Sequence, residues 1–571
     1  MQVTANCDGQ DDSLHVMAGV PINDVGATPG VPQDWRAAVE SFLPASANSA
    51  EKIDAIEAAL RSPLGKSMRE AMARWIVDEI VPVERLVPPA YIKWRPPVRD
   101  SMTFVVARLS PARLAPKILE QIELPPNTPP EERLLRLIAK VPGLQKLGQV
   151  IARNQHLHPA LRKALARLEN GIRDVSAEDI RTIVQREMGQ KVRKFAVEVS
   201  CGILKEASVS AVIRFTWFNP ETQRRERGVF KVLKPHIPEY FAEDMDYLQG
   251  LAKYFGDRHH TYGFPAHLIP DTFQKVRRLL RQEVNFRREQ KTLSEAGALY
   301  RSFHKIRVPR VIPLLCTRTV TAMTEERGIK VTNAAARLAP AQRRKLAEQM
   351  LEALIAVPLL SSVQDAVFHG DPHAGNLLFH RASGKLVILD WALRERLDRE
   401  QRRHLAMLFL LVSLRDPVGV CHEVLALTTP AIKPASAQGR LVRRSVVEFL
   451  ESIPASQLPS ATDAMRLLED VAIHGIRFPG ALIMLSKVMF TLEGILGEML
   501  GSDTAIGFTI ARQVAMRWLA HRKEFQSPLR KRDWFALQCS ALLLPSRLGI
   551  QWQQSMVNRW LTIKPTPAAA T

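Results

Sequence analysis

Cysteine is scarce in this sequence. Five occur in 571 residues, Cys7, Cys201, Cys316, Cys421 and Cys539, and no two share a CxxC spacing. That argues against a disulfide framework or a zinc site and fits a reducing compartment. A leader pattern is also missing. The N-terminus, MQVTANCDGQDDSLHVM, is polar and acidic, with neither the basic nor the apolar segment of a secretory signal. No uninterrupted apolar run reaches the ~18 residues of a membrane span. Leu405–Leu414 is too short and flanked by Arg402, Arg403 and Arg415; Ala481–Leu496 is broken by Lys487 and Glu493. Both read as buried helices. There is no internal repeat and no low-complexity tract. Acidic residues are outnumbered, 58 against 79 Lys plus Arg, for a formal charge of +21. Such an excess points to an acidic partner such as nucleotide, anionic lipid or nucleic acid, although composition alone favours a plain solvated basic surface. There is no strong nucleic-acid signal.

What is present is a globular composition, 46% hydrophobic, in a chain long enough for more than one domain. Residues 1–33 are rich in Gly, Pro, Asp and Asn and are expected to lack fixed structure. Residues 34–140 read as helical blocks separated by Pro88-Pro89, Pro96-Pro97 and Pro125–Pro130. Helical pattern continues to Met188, with Ser176 and Asp179 as an N-cap and acidic first turn. After Gly189 the character changes. VIRFTWF and RGVFKVL read as strands around an Asn219-Pro220 turn, a charged helix is expected over about Asp271 to Tyr300, and short strands follow. From residue 340, and again from 401 to 571, the pattern is mostly helical. A strand-rich part followed by a helix-rich part predicts two lobes and an α+β fold.

The most specific chemistry lies in His369–Asp390, HGDPHAGNLLFHRASGKLVILD. Asp371 and Asn376 stand five apart, as in the protein-kinase catalytic loop. A hairpin of LLF and LVIL, turning at Ser383-Gly384, brings Asp390 to the same end. Phosphoryl transfer needs this set: a carboxylate to orient a hydroxyl or water (Asp371), and an amide oxygen with a second carboxylate for magnesium (Asn376, Asp390). His369 and His373 read as loop-shaping residues, because Pro372 and Gly375 keep them off a shared helix face. Lys231, on the apolar strand GVFKVLKP, stands where kinases grip phosphates; Lys234 beside Pro235 ranks lower. A kinase lysine needs a helical glutamate, and in QEVNFRRE both Glu283 and Glu289 qualify. On one continuous helix they are about 120° apart and should take different partners. KLGQ, Lys146–Gln149, carries no chemistry that singles it out.

Together these elements resemble the UbiB/AarF family of atypical kinases. KLGQ is similar to its KxGQ signature, KVLKP to KVQRP, EVNFRRE to ELDYRRE, HGDPHAGN to HADPHPGN and LDWALRERL to LDFGMVGRL. FPGALIMLSKVMFTLEGILGEM resembles its C-terminal helices. The resemblance implies a two-lobed, protein-kinase-like fold at 141–400, with a KxGQ extension at 141–190, an N-lobe at about 191–328 and a C-lobe beginning at 329–400. A helical N-terminal extension precedes it, and the helical region 401–571 completes the C-lobe; from its own residues, Trp534–Trp560 reads either as an amphipathic tail or as a segment packed on the lobe, with Pro545 interrupting the helix. The resemblance implies ATP or ADP with Mg2+, catalytic Asp371, Lys231 and Glu289, and metal ligands Asn376 and Asp390. It also implies nucleotide-site roles for Lys231, Lys146, Gln149, Glu283 and an alanine-rich loop reduced to KEASVSAV, with Ala207, Ser208 and Ala211. Glu283 is expected to face KLGQ, which folds over the cleft and limits protein substrates. The function implied is a kinase or ATPase in ubiquinone or lipid metabolism, cytoplasmic or peripheral at an anionic membrane, with a quinone precursor as a candidate partner. Two departures stand out: Asn285 replaces a second family carboxylate, and Asp390-Trp391-Ala392 lacks the glycine of DFG. HGDPHAGN also resembles aminoglycoside/choline phosphotransferases, and a non-catalytic nucleotide-binding scaffold is the other alternative.

Overall fold

The computed structural model describes residues 48–87, 89–146, 174–263, 268–361, 363–501 and 528–562. Residues 1–33 and Leu147–Gln149 of KLGQ lie outside the described residues. The chain forms two compact units: one runs up to Asp174 and adds His236–Arg278, the other takes Val175–Pro235 and everything from Leu279 onward.

The first unit is helical. Its helices include Ser49–Arg61, Arg95–Arg108, Pro111–Glu123, Pro130–Ile138 and His236–Asp257. Asn48 caps the first through a box with Glu51. Pro96 and Pro97 do not break a helix, as the sequence led us to expect, but occupy the first turn of one, where no donor is lost. Segment 236–278 belongs with these helices for an electrostatic reason. Buried Asp244 takes Arg113 at 2.7 Å and the Gly143 N–H at 2.8 Å. The sequence had placed this segment in the N-lobe.

The second unit holds the sheets. Strands β1 (Glu198–Glu206), β2 (Ser210–Asn219) and β3 (Arg224–Leu233) form an antiparallel meander, and β5 (Val320–Thr324) pairs with β3. Alternation along β2 and β3 buries Ile213, Phe215, Phe230 and Val232 beneath the helix Ala177–Met188. Next come β4 (Ile306–Arg307), β6 (Ile329–Lys330), β8 (Leu377–His380) and β9 (Lys385–Ile388) in the order β4-β9-β8-β6. A separate pair joins β7 (Asp365–His369) to β10 (Arg394–Asp398). Helices Pro340–Leu351, Arg399–Ser413, Pro417–Ala426, Ala461–Ile473 and Gly480–Leu500 share one apolar core with them.

Two further expectations need correction. The long charged helix is two helices, Leu268–Glu283 and Phe286–Leu299, separated where Asn285 caps the second by accepting from the Arg288 N–H. Pro545 lies inside a continuous helix, Lys531–Thr562. Gly480–Leu500 is long and apolar enough by length and composition to cross a membrane, and 44% of its apolar window is buried in the fold.

Candidate active site

Lys231 is carried in the middle of β3, opposite Val212 on β2 and Thr321 on β5. Its Nζ lies 2.6 Å from Glu289 Oε1, in the first turn of Phe286–Leu299, and 3.3 Å from Asp390 Oδ1. Burial works against its ammonium, but the carboxylates of Asp390 and Glu289 outweigh it and push the Lys231 pKa above the ordinary lysine value. Burial raises the Glu289 carboxyl, opposed by Lys231. At 2.6 Å we take the pair as ionised, its bond charge-assisted.

Glu283 is not part of this pair. It ends the preceding helix and accepts from Ser208 Oγ at 3.3 Å. The two glutamates separate because the helix breaks between them, not because they sit on different faces of one helix. The segment expected to face Glu283 falls outside the described residues from Leu147 onward. Lys146 is described and buried.

The turn joining β1 to β2 holds the residues expected over the phosphates. The Ala207 N–H already donates to Ser210 O at 2.7 Å, Ser208 is tied to Glu283, and Ala211 is buried opposite Val232. Ala207 therefore has no N–H left for a phosphate. Asn285 uses its side-chain oxygen to cap a helix, accepting from the Arg288 N–H. Sequence reasoning missed the staple beneath this turn. Lys234 is fully buried and lies 3.2 Å from Glu206.

The catalytic-loop residues are fixed through the backbone. His369 Nδ1 accepts from the Asp371 N–H at 3.1 Å, which leaves its proton on Nε2, facing Leu389 O at 2.9 Å. Burial lowers the His369 pKa, consistent with that neutral form. His373 Nδ1 accepts from the Gly375 N–H. Both histidines thus shape the loop, and among the described residues no cluster of three or more His, Cys, Asp or Glu could hold a metal. Gly370 is needed for close approach, since a Cβ there would sit 3.2 Å from the Leu393 backbone.

Asn376 Nδ2 donates to Asp371 O at 3.2 Å, while its Oδ1 is buried and has no hydrogen-bond partner among the described residues. A buried carbonyl oxygen without a donor is costly unless something else takes it. Asp390 follows β9 in a left-handed conformation, φ 55°, which an Asp tolerates. The strained backbone therefore falls on Asp390, and Ala392 needs no glycine. Desolvation would raise the Asp390 carboxyl; Lys231, then Lys205, overcome it and hold the group well below the usual carboxylate range. Its side chain remains 40% accessible. One ionised carboxylate and one orphaned amide oxygen, on segments tied together by the Leu389 N–H to Asn376 O bond at 2.8 Å, fit a hard cation that takes its other ligands from water and phosphate.

Two more residues complete the site without having been assigned a role from sequence. Trp391 is fully buried, donates to Ile388 O at 3.2 Å and meets the His369 ring edge-on at 5.0 Å. Its position next to Asp390 was the available signal. Lys487, from Gly480–Leu500, donates to Asp371 Oδ1 at 3.0 Å. The sequence showed it only as a break in an apolar run.

Residues 167–423 match the family model of the ABC1 atypical kinase-like domain. A "Probable protein kinase UbiB" of Sodalis glossinidius is 24% identical over 61% of this chain and 63% of its own length. One of Pasteurella multocida is 23% identical over 66% of this chain and 71% of its own. A solved erythromycin complex of Rv3197 from Mycobacterium tuberculosis aligns with a TM-score of 0.40 and 16% identity, covering 64% of this chain and 92% of that one.

Proposed function

Because residues 167–423 match the ABC1 atypical kinase-like domain, we propose that the cleft binds Mg-ATP and transfers or hydrolyses the terminal phosphoryl group. The observation that carries this reading is the convergence of Lys231, Glu289 and Asp390, together with the buried Asn376 oxygen that has no partner among the described residues. Asp390 and Asn376 would hold magnesium, which when bound neutralises charge on the phosphates. Lys231, oriented by Glu289, grips the α/β-phosphates. Asp371 orients the acceptor, a hydroxyl or water. The acceptor oxygen bonds to the γ-phosphorus as the bond from that phosphorus to the β-phosphate oxygen breaks. The electron pair leaves with the nucleoside diphosphate, and the acceptor proton passes to Asp371.

The UbiB resemblance supports an acceptor from isoprenoid-quinone or lipid metabolism, with ATPase or small-molecule phosphotransfer in preference to protein phosphorylation. ATP hydrolysis by the purified chain, with and without anionic vesicles or a phenolic quinone-precursor mimic, tests this. Stimulation by either is expected. Efficient phosphorylation of generic proteins, or of a small amine or aminoglycoside with no response to lipid, would contradict it.

A membrane-surface contact is supported by the helix Lys531–Thr562, which keeps several large apolar residues exposed although it is anchored to the lobe. Its inward side sets Trp534 and Leu537 against the apolar core and adds polar contacts: Asp533 pairs with Arg403 at 3.3 Å, Arg547 with Asp416 at 3.2 Å, and Gln551 accepts from Arg415. Its outward side exposes Phe535, Leu542, Leu543, Ile550, Trp552 and Val557, with Leu542 at 80%. Lys531 and Arg532 are exposed at its start. Apolar residues lying outward beside cations suit an anionic headgroup layer. Flotation should require anionic lipid and weaken with salt. No flotation at low salt would remove the membrane from the account.

A further inference from the structure

The loop from Asp371 to Asn376 reads Asp-Pro-His-Ala-Gly-Asn, with no Lys or Arg. Its internal bonds fix the Asp371 backbone: His369 takes the N–H and Asn376 Nδ2 takes the carbonyl. They do not orient its carboxylate. That contact arrives from more than a hundred residues away, where Lys487 Nζ meets Oδ1 at 3.0 Å.

The carrier helix is an unusual place for a cation. Gly480–Leu500 is apolar almost throughout, and Leu485, Val488, Met489 and Leu492 are buried in the lobe's core. An ammonium near its centre loses hydration, and that cost is offset only by a well-placed anion. Ser486 is buried and donates to Glu469 at 2.7 Å, and Glu493 takes Arg466 at 3.1 Å. The helix is thereby fixed on both sides of Lys487. Lys487 itself keeps 32% of its side chain accessible and Asp371 16%.

We propose that Lys487 is a positioning residue for phosphoryl transfer, holding Asp371 Oδ1 so that Oδ2 is presented to the acceptor. A charge-assisted bond from a rigid helix gives one carboxylate orientation, and misplacing a catalytic group by about 1 Å costs roughly a hundredfold in rate. The inference rests on the phosphotransfer reading above.

The test compares the full-length wild type with Lys487→Met, Lys487→Arg, Asp371→Asn and the Lys487→Met/Asp371→Asn pair. Mg-ATP affinity, turnover and thermal midpoint are measured for each. Lys487→Met should lower turnover about 30-fold or more while Mg-ATP affinity stays within about threefold. Lys487→Arg should recover most of the loss. In the Asp371→Asn background the Met change should cost less than about twofold, because the two residues act as one unit. Wild-type turnover in Lys487→Met overturns the proposal, as does a full multiplicative loss in the double variant. Loss of thermal midpoint together with turnover, unrescued by Arg, assigns Lys487 to packing instead. A wild type that binds no Mg-ATP refutes the phosphotransfer reading itself, whereas an active wild type with an indifferent Met variant refutes only the role of Lys487.

Discussion

In the helical unit, Arg113, Lys117 and Arg133 are buried, and each is met by acceptors that close around it. Arg113 has Asp244, Lys117 donates to Ala139 O at 2.6 Å, and Arg133 donates to Gln121 O at 3.0 Å and Pro125 O at 2.7 Å. In the lobe carrying the candidate site, Lys231 is shared by two carboxylates, Asp390 is held ionised but accessible, and Asn376 Oδ1 is left over. The first region buries charge to fasten helices together. The second assembles charge that is completed only by something further. Lys231 and Lys234 show the same difference three residues apart, since Lys234 faces Glu206 in a fully buried pair.

The comparison breaks most visibly at Asp371. Asp371→Asn should lower turnover by about two to four orders of magnitude, the usual worth of a positioned base. Stability should change by less than about 1 kcal/mol, because the Lys487 contact is partly solvated. A variant with undiminished turnover would remove Asp371 from the chemistry.

The opposite pattern is expected at Arg113. Arg113→Met leaves Asp244 buried without its cation, which costs about 3–5 kcal/mol of stability. Urea unfolding measures that loss, and Mg-ATP affinity of the folded protein should stay near wild type. A loss under about 1 kcal/mol would show the network to be dispensable.

Much of the site was legible because its residues are near neighbours in sequence. Asp371, Asn376 and Asp390 lie on one loop and hairpin, and the hairpin turns at Ser383-Gly384 as read, with Gly384 in a left-handed conformation. What could not be read depends on distant partners or on competition for a single atom. Asn285 looked like a spare oxygen, but capping a helix is the local alternative open to any Asn, and it split one expected helix into two. Lys487 carried no signal, since only the tertiary fold brings a helix over a hundred residues downstream against Asp371. The exposed apolar face of Lys531–Thr562 was hidden for the same reason. Its exposed leucines look like core residues until Trp534, Leu537, Asp533 and Arg547 are seen to be the groups holding it down.

A smaller effect sharpens the contrast through pH. Burial pulls the Lys117 pKa from 10.5 down to about 7. Between those values the unfolded chain holds a proton that the folded chain has released, so this residue makes stability rise with pH across that window. Lys117→Met should abolish its share of the rise, seen as a smaller gain in urea midpoint from pH 7 to pH 9 than the wild type shows. An equal gain in both proteins would place the ammonium, still charged, on the carbonyls of the helix end.

The central claim is that the cleft is completed by magnesium and nucleotide through Asp390 and Asn376. Calorimetric titration of ATP into the wild type and Asp390→Asn, each with and without Mg2+, tests it most directly. The wild type should bind more tightly with Mg2+, by about tenfold or more, and Asp390→Asn should lose most of that dependence because a carboxylate–metal contact is gone. Equal affinity in all four titrations would contradict the account.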